Sequence, residues 1–212
     1  EAAPAVIRDH WRYPESLFLL QANALLRYHI TDPVAFYNQE DLWRIPEEVY
    51  YGNPQQIQPY YILVSLDNKP PQFVLMLPLS PVRRDNLIGW FYAGNDGAQY
   101  GDLRLYNFPR DTLIYGPMQI EARIDQDPVI SKDLTLWGQG GSSVIRGNLI
   151  VLPVGGTVLY VEPLFIQAEK GKIPELKRVT LGTFDRVVMA ENVSAAIRQL
   201  VGQTARAPEE GT

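Results

Sequence analysis

His10 and His29 are the only imidazoles in the chain. A Ser-His-Asp triad would need one of them, and no Gly-x-Ser-x-Gly elbow is present to offer the serine. The spacings of a zinc-binding helix, His-x-x-x-His or His-Glu-x-x-His, are absent as well. There is no cysteine, which excludes disulfides, thiol nucleophiles and Cys-ligated zinc or iron–sulfur centres. The Gly138–Ser143 run has the glycines of a phosphate loop but not its Gly-Lys-Ser/Thr ending, and a strand is expected after it, not a helix N-terminus. Asn95-Asp96-Gly97 lacks the regular acidic spacing and closing Glu of a calcium loop and reads as a turn. No metal site and no cofactor are expected.

Carboxylates and aromatics are what remains. Two carboxylates facing each other across a cleft can act as acid and base. Asp41, close to Trp43 in an irregular segment, and Glu162, set between Val161 and Pro163 in an apolar strand, are the catalytic candidates. Glu162 also has a structural reading: partly buried and paired with an arginine such as Arg146. Glu40, Glu47 and Glu48 read as solvated loop charges. The aromatics include 12 Tyr, 7 Phe and 4 Trp, enough to line a groove for lipid or glycan. Trp43, Tyr60, Tyr61 and Trp90 are the ligand-binding candidates; the competing reading is strand core with the tyrosine hydroxyls at the rim. His29 falls on the first helix beside Phe18, Ala22 and Leu25 and reads as a core histidine with one local hydrogen bond.

These residues need elements to position them. Pro14-Glu15-Ser16 opens a helix that runs to about Tyr28, with Pro in the first turn and Glu at the positive end of the dipole. Its polar side, carrying Asn23 and Arg27, is narrow, so the helix is expected to be largely buried. Asp32-Pro33 starts a short helix to Asn38. Gln39 to Gln58 reads as irregular, limited by Pro46 and Pro54 and closed by Pro59. Tyr60–Leu66 and Gln72–Leu77 are β-rich runs around the turn cluster at 67–71, hence a hairpin. Asn86–Ala93 and Asp102–Phe108 follow as strands.

Residues 116–126 alternate like a strand but consist of helix formers behind Pro117; helix is the reading adopted. Asp127-Pro128 starts a helix that Gly138 ends. The runs LIVLPV and TVLYV flank Gly155-Gly156, a pair suited to a two-residue hairpin turn. Lys177–Leu181 and Arg186–Met189 form a last strand pair. A final helix spans Asn192–Val201, with Val193, Ala196, Ile197, Leu200 and Val201 on one face and Gly202 as its stop. The pattern predicts an α+β fold: an antiparallel sheet built from hairpins, with helices packed at the N- and C-terminal ends. Residues 1–202 are expected to form one globular domain and 203–212 a disordered tail.

Apolar residues make up 46% of the 212 and charged residues 20%, a globular composition. The net charge of -5 and the scattered basic residues argue against nucleic acid as a partner. No window reaches the run of about 18–20 apolar residues that a membrane helix needs. The start at Glu1 and the lack of a leader pattern suggest a processed chain or a piece of a longer one.

Several short motifs, taken in order, resemble a family of bacterial and cyanobacterial multi-pass membrane proteins, the uncharacterised protein family numbered zero-one-eight-two. They include Arg12-Tyr13-Pro14-Glu15, Tyr28-His29, Thr31-Asp32-Pro33, Phe36-Tyr37, Glu40-Asp41 with Trp43, Pro59-Tyr60-Tyr61 and Gly116-Pro117. Asp127-Pro128, Gly147-Asn148-Leu149 and above all Leu159-Tyr160-Val161-Glu162-Pro163 continue the series. The resemblance implies several N-terminal membrane helices followed by a large extracytoplasmic region, of which this chain would be a late part. It implies a cell-membrane location for the whole protein and attachment only through helices outside this chain. It transfers no catalytic residue. The expected function is a non-catalytic, soluble extracytoplasmic interaction or assembly module. Its partners would be the rest of its own membrane-spanning chain or an envelope protein. A cell-envelope hydrolase using carboxylates and a lipid- or glycan-binding domain are the alternatives.

Overall fold

A computed structural model describes residues 3–65, 70–109, 111–155, 157–171 and 173–204. The fold is α+β, with antiparallel sheets built from hairpins. The chain divides into two compact units, residues 1–46 with 56–116 and residues 47–55 with 117–212.

In the first unit, a short helix α1 (Ala5–Arg8) precedes α2 (Glu15–Tyr28) and α3 (Pro33–Tyr37). The Asp32 side chain caps α3 by accepting from the Val34 and Ala35 amides, as the Asp-Pro signal anticipates. The sheet holds β1 (Trp43–Arg44), β4 (Tyr60–Val64), β5 (Gln72–Pro81), β6 (Gly89–Gly94) and β7 (Leu103–Asn107). β5 is central: β6 lies along one edge, and β4 and β1 pair with the other. The strand period puts Leu75, Leu77 and Leu79 on one face, in register with Ala93 and Phe91 of β6. Phe18 and Ala22 of α2 pack onto that face, and the Phe18 ring stacks on Phe91 at 4.8 Å.

In this unit α2 departs from expectation. Only Phe18 and Ala22 are fully buried, Leu19, Leu25 and Leu26 are half-buried, and Leu17, Leu20, Ala24 and Tyr28 face solvent. One side of the helix fills the sheet face, and no described residue covers the other.

In the second unit, β2 (Glu47–Tyr50) and β3 (Asn53–Gln56) pair as a hairpin inside the segment read as irregular. Its two-residue turn puts Tyr51 at φ 51° and Gly52 at φ 76°, the pair of positive values that a primed turn uses. The larger sheet is ordered β12 (Val187–Ala190), β11 (Pro174–Gly182), β10 (Thr157–Ala168), β8 (Ser142–Arg146). β9 (Ile150–Val154) pairs with the first part of β10, and β8 with the last part. Pro163 falls between the two paired stretches, where a residue without an N–H costs no ladder bond.

Gly155, at φ 55°, begins the β9–β10 turn; Gly156 lies outside the described residues, as do 66–69 of the other turn cluster and 205–212 of the tail. The 116–126 run is helix α4 (Pro117–Gln126), followed by α5 (Pro128–Trp137), which Asp127 caps. The last helix, α6 (Val193–Thr204), continues through Gly202 and does not stop there. It packs Ala196 against Val179, Leu181, Val188 and Ala190, while Val193, Ile197 and Val201 stay exposed.

Candidate functional site

Asp41 and Trp43 line one cleft of about 590 Å³ in the first unit, together with Arg84, Asn86, Ile88 and Phe108. His29, at the C-terminal end of α2, lies behind the Trp43 wall and does not itself line the cleft. Its ring stacks on Trp43 with centroids 3.5 Å apart and planes 17° from parallel. Nδ1 lies 2.8 Å from the Leu25 carbonyl oxygen and Nε2 3.0 Å from that of Asp41. A neutral imidazole carries one N–H and donates to one of these carbonyls at a time. His29 is half-buried, and its stack on Trp43 together with a hydrogen bond to one of the two carbonyls braces the segment that carries Asp41 and Trp43. Gln39 and Asp41 both adopt positive φ, 54° and 55°, so that segment turns in a conformation non-glycine residues seldom take.

Glu162 lies in the second unit and has no exposed surface. Arg146 grips it with both arms of its fork: Nε donates to Oε1 at 2.7 Å and Nη2 to Oε2 at 3.0 Å. Arg146 Nη1 also donates to Asp125 at 2.8 Å, and the Thr180 hydroxyl donates to Glu162. The expected pairing with Arg146 is thus present. Burial pushes the Glu162 pKa up, and the bonds and charge of Arg146 pull it back. Burial also works against the Arg146 charge, but Glu162 and Asp125 outweigh it and its pKa is raised.

Two further buried carboxylates stand near this pair. Glu48, read from the sequence as a solvated loop charge, is 1% exposed. It accepts from the Leu149 amide at 2.7 Å and from Gln55 Nε2 at 3.0 Å, so the hairpin inserts it into the unit. Burial raises its pKa. Glu121 accepts the Val49 amide on both oxygens, at 2.8 and 3.0 Å. Burial is the main cause of the rise of its pKa to about 7, with the charge of Glu162 adding to it. A signal for Glu121 exists in the sequence: it shares a helical face with Pro117, Ile120 and Ile124, all buried. Among the described residues, no three His, Asp or Glu side chains converge as a metal site would need.

The other aromatic candidates have structural partners. Trp90 is buried, edge-on to Phe108 at 4.5 Å. Tyr61 donates its hydroxyl to the Tyr13 carbonyl at 2.7 Å and stacks on Phe73. Tyr60 packs half-buried against the core under α2. Of the four, Trp43 alone lines the Asp41 cleft.

The model of the uncharacterised protein family UPF0182 matches residues 1–137. The chain belongs to this family. A UPF0182 protein of Trichodesmium erythraeum is 49% identical over 209 residues, which cover 98% of this chain and 23% of the relative. One from Moorella thermoacetica is 47% identical, with the same coverages. One from Pelobacter propionicus is 49% identical, again over 98% of this chain and 23% of its own length. No solved structure matches the chain. It therefore spans about a quarter of the length of these UPF0182 relatives. Among the described residues no helix is long and apolar enough to cross a membrane.

Against that length, the exposed side of α2 matters. Leu17, Leu20, Ala24 and Tyr28 recur at helical spacing along one stripe. Leu20 is 68% and Tyr28 73% exposed. The stripe continues onto α3, because Tyr28 stacks on Phe36 at 5.9 Å, and Val34 and Tyr37 beside it are also exposed.

Proposed function

We propose that the chain is a non-catalytic interaction module of a longer UPF0182 protein, docking through the α2–α3 stripe onto other segments of its own polypeptide. The observation that carries the reading is the continuous apolar stripe Leu17–Leu20–Tyr28–Phe36 left facing solvent. Contiguous exposed apolar surface of this kind marks an interaction site. The relatives supply candidate occupants, since this chain spans 23% of their length. The closure of Arg146 on both oxygens of Glu162 supports this reading over a carboxylate hydrolase, because that carboxylate is not offered to a substrate.

A photo-crosslinking residue placed at position 20 or 37 of the full-length protein in its own membrane tests the docking. A crosslinked peptide from the same polypeptide, outside these residues, is the expected product. Crosslinks only to other proteins, or none, overturn the reading.

The reading also places the module outside the cytoplasm, on the strength of the family resemblance to multi-pass membrane proteins. The chain lacks cysteine, so Ile173→Cys offers a single thiol within it, at a position 74% exposed in this chain and apart from the α2–α3 stripe. On intact cells, a membrane-impermeant maleimide is expected to label the full-length variant above its parent. Labelling that appears only after cell lysis would place the module in the cytoplasm.

A further inference from the structure

The geometry points to a binding site for an acidic sugar in the first unit, in the cleft walled by Trp43 and rimmed by Asp41, Arg84 and Asn86. The inference is independent of the docking reading, since it uses other residues and another class of ligand.

The cleft, about 590 Å³, falls within the range of small-molecule sites, and its lining mixes aromatic surface with a few polar groups. A second cleft of this unit, of about 670 Å³, also sets an Arg and an Asp beside aromatics, Arg8 and Asp9 with Trp11 and Tyr100. The Trp43 cleft differs in that its indole is stacked face to face on His29 at 3.5 Å. The Asp41 carboxylate and the Arg84 guanidinium have no side-chain partner among the described residues, and both line this one cleft. An open anion and an open cation around an aromatic wall call for a ligand with hydrogen-bond donors, an anionic group and an apolar face.

A sugar bearing a carboxylate or phosphate has all three. Its C–H face can lie on the Trp43 indole, whose amphipathic ring suits such contact. Its hydroxyls can donate to Asp41 and bond to the Asn86 amide. Its anionic group matches the planar fork of Arg84. A neutral sugar would leave Arg84 unused, and an acyl chain would leave both charges unused.

The wall is also pre-organised. His29 covers one face of Trp43 at 3.5 Å and faces the Asp41 carbonyl at 3.0 Å, so little freedom is left to lose on binding. His29 is a positioning residue here, acting through Trp43 and Asp41.

Titration of this chain with glucuronic acid, glucose 6-phosphate and glucose, followed by tryptophan fluorescence and calorimetry, tests the site. At least one acidic sugar is expected to bind saturably at one site, about tenfold or more tighter than glucose, a difference of about 1.4 kcal/mol. Whether the uronate or the phosphate saturates identifies the anionic group. Arg84→Ala should reduce that sugar to the glucose level, and Asp41→Asn should weaken the acidic sugar and glucose alike. Both side chains are exposed, so circular dichroism of the variants should match the parent. Failure of both acidic sugars to saturate, glucose binding equally well, or acidic-sugar binding unmoved by Arg84→Ala each overturns the proposal.

Discussion

Glu162 has no exposed surface, and Arg146 is, among the described residues, the only cation in hydrogen-bonding contact with it. Removing one partner of such a pair strands the other. Glu162→Gln is therefore expected to destabilise the chain by about 3 kcal/mol, measured by urea denaturation near pH 7. A loss under about 1 kcal/mol would show that Asp125, bonded to the third nitrogen of Arg146, compensates alone. Replacing both partners with apolar residues, Glu162→Leu with Arg146→Met, is expected to cost less than the single change, because no charge is left buried. This pair is legible in the sequence because a lone Glu inside an apolar strand must find a partner. Glu48 is not, since a Glu-Glu pair after Pro46 looks like loop. Its burial depends on a turn at Tyr51-Gly52 whose pairing partner cannot be inferred from the residues alone.

At the scale of elements, caps and turns are the most readable features. Asp32-Pro33 and Asp127-Pro128 start their helices where expected because the cap is a local hydrogen bond, independent of tertiary context. Faces are less readable. The apolar excess of α2 predicts a largely buried helix with a narrow polar side, yet the sheet covers only one side of it. α6 likewise turns Ala195, Ala196 and Leu200 inward and leaves Val193, Ile197 and Val201 out. A wheel shows which residues are apolar but not what is present to cover them.

The exposed half of α2 should tolerate charge in this chain. Leu20→Glu, at a side chain 68% exposed, is expected to change its stability by less than about 0.5 kcal/mol. Phe18→Ala, on the opposite side and stacked on Phe91, is expected to cost about 3–5 kcal/mol. Thermal melts of the two variants separate the faces; a large loss for Leu20→Glu would mean that this side is packed after all. His29→Ala should cost about 1–2 kcal/mol through its hydrogen bonding and the Trp43 stack, with a matching change in tryptophan emission.

Across the whole molecule, the sequence does not reveal that residues 47–55 leave the flanking chain and join the second unit. Prolines at 46, 54 and 59 make that stretch look irregular, while its attachment runs through carboxylates that accept backbone amides far away in sequence. Those carboxylates give stability an unusual dependence on pH. Glu121 sits at about 7 in the folded chain against an ordinary 4.5, and Glu48 is shifted the same way. A raised folded pKa means that the unfolded chain gives up the proton first. The contribution is fully present below about pH 4.5 and is lost as pH rises through 7.

Between these values, stability should therefore fall with rising pH on account of Glu121. Burial is the main cause of the direction, and the ionised Glu121 also adds an anion near Glu162, which Arg146 already serves. Glu121→Gln keeps an oxygen for the Val49 amide and removes the ionisation. Each pH unit that separates folded from unfolded titration is worth about 1.4 kcal/mol, so the variant should be about 3 kcal/mol more stable than the parent at pH 8. At pH 5 that advantage should have fallen to about 1 kcal/mol or less. Denaturation curves for both proteins at half-unit steps from pH 5 to 8 measure the divergence directly. Parallel curves would show that Glu121 stays ionised in the folded chain, with its two bonds to Val49 sufficient to hold the charge.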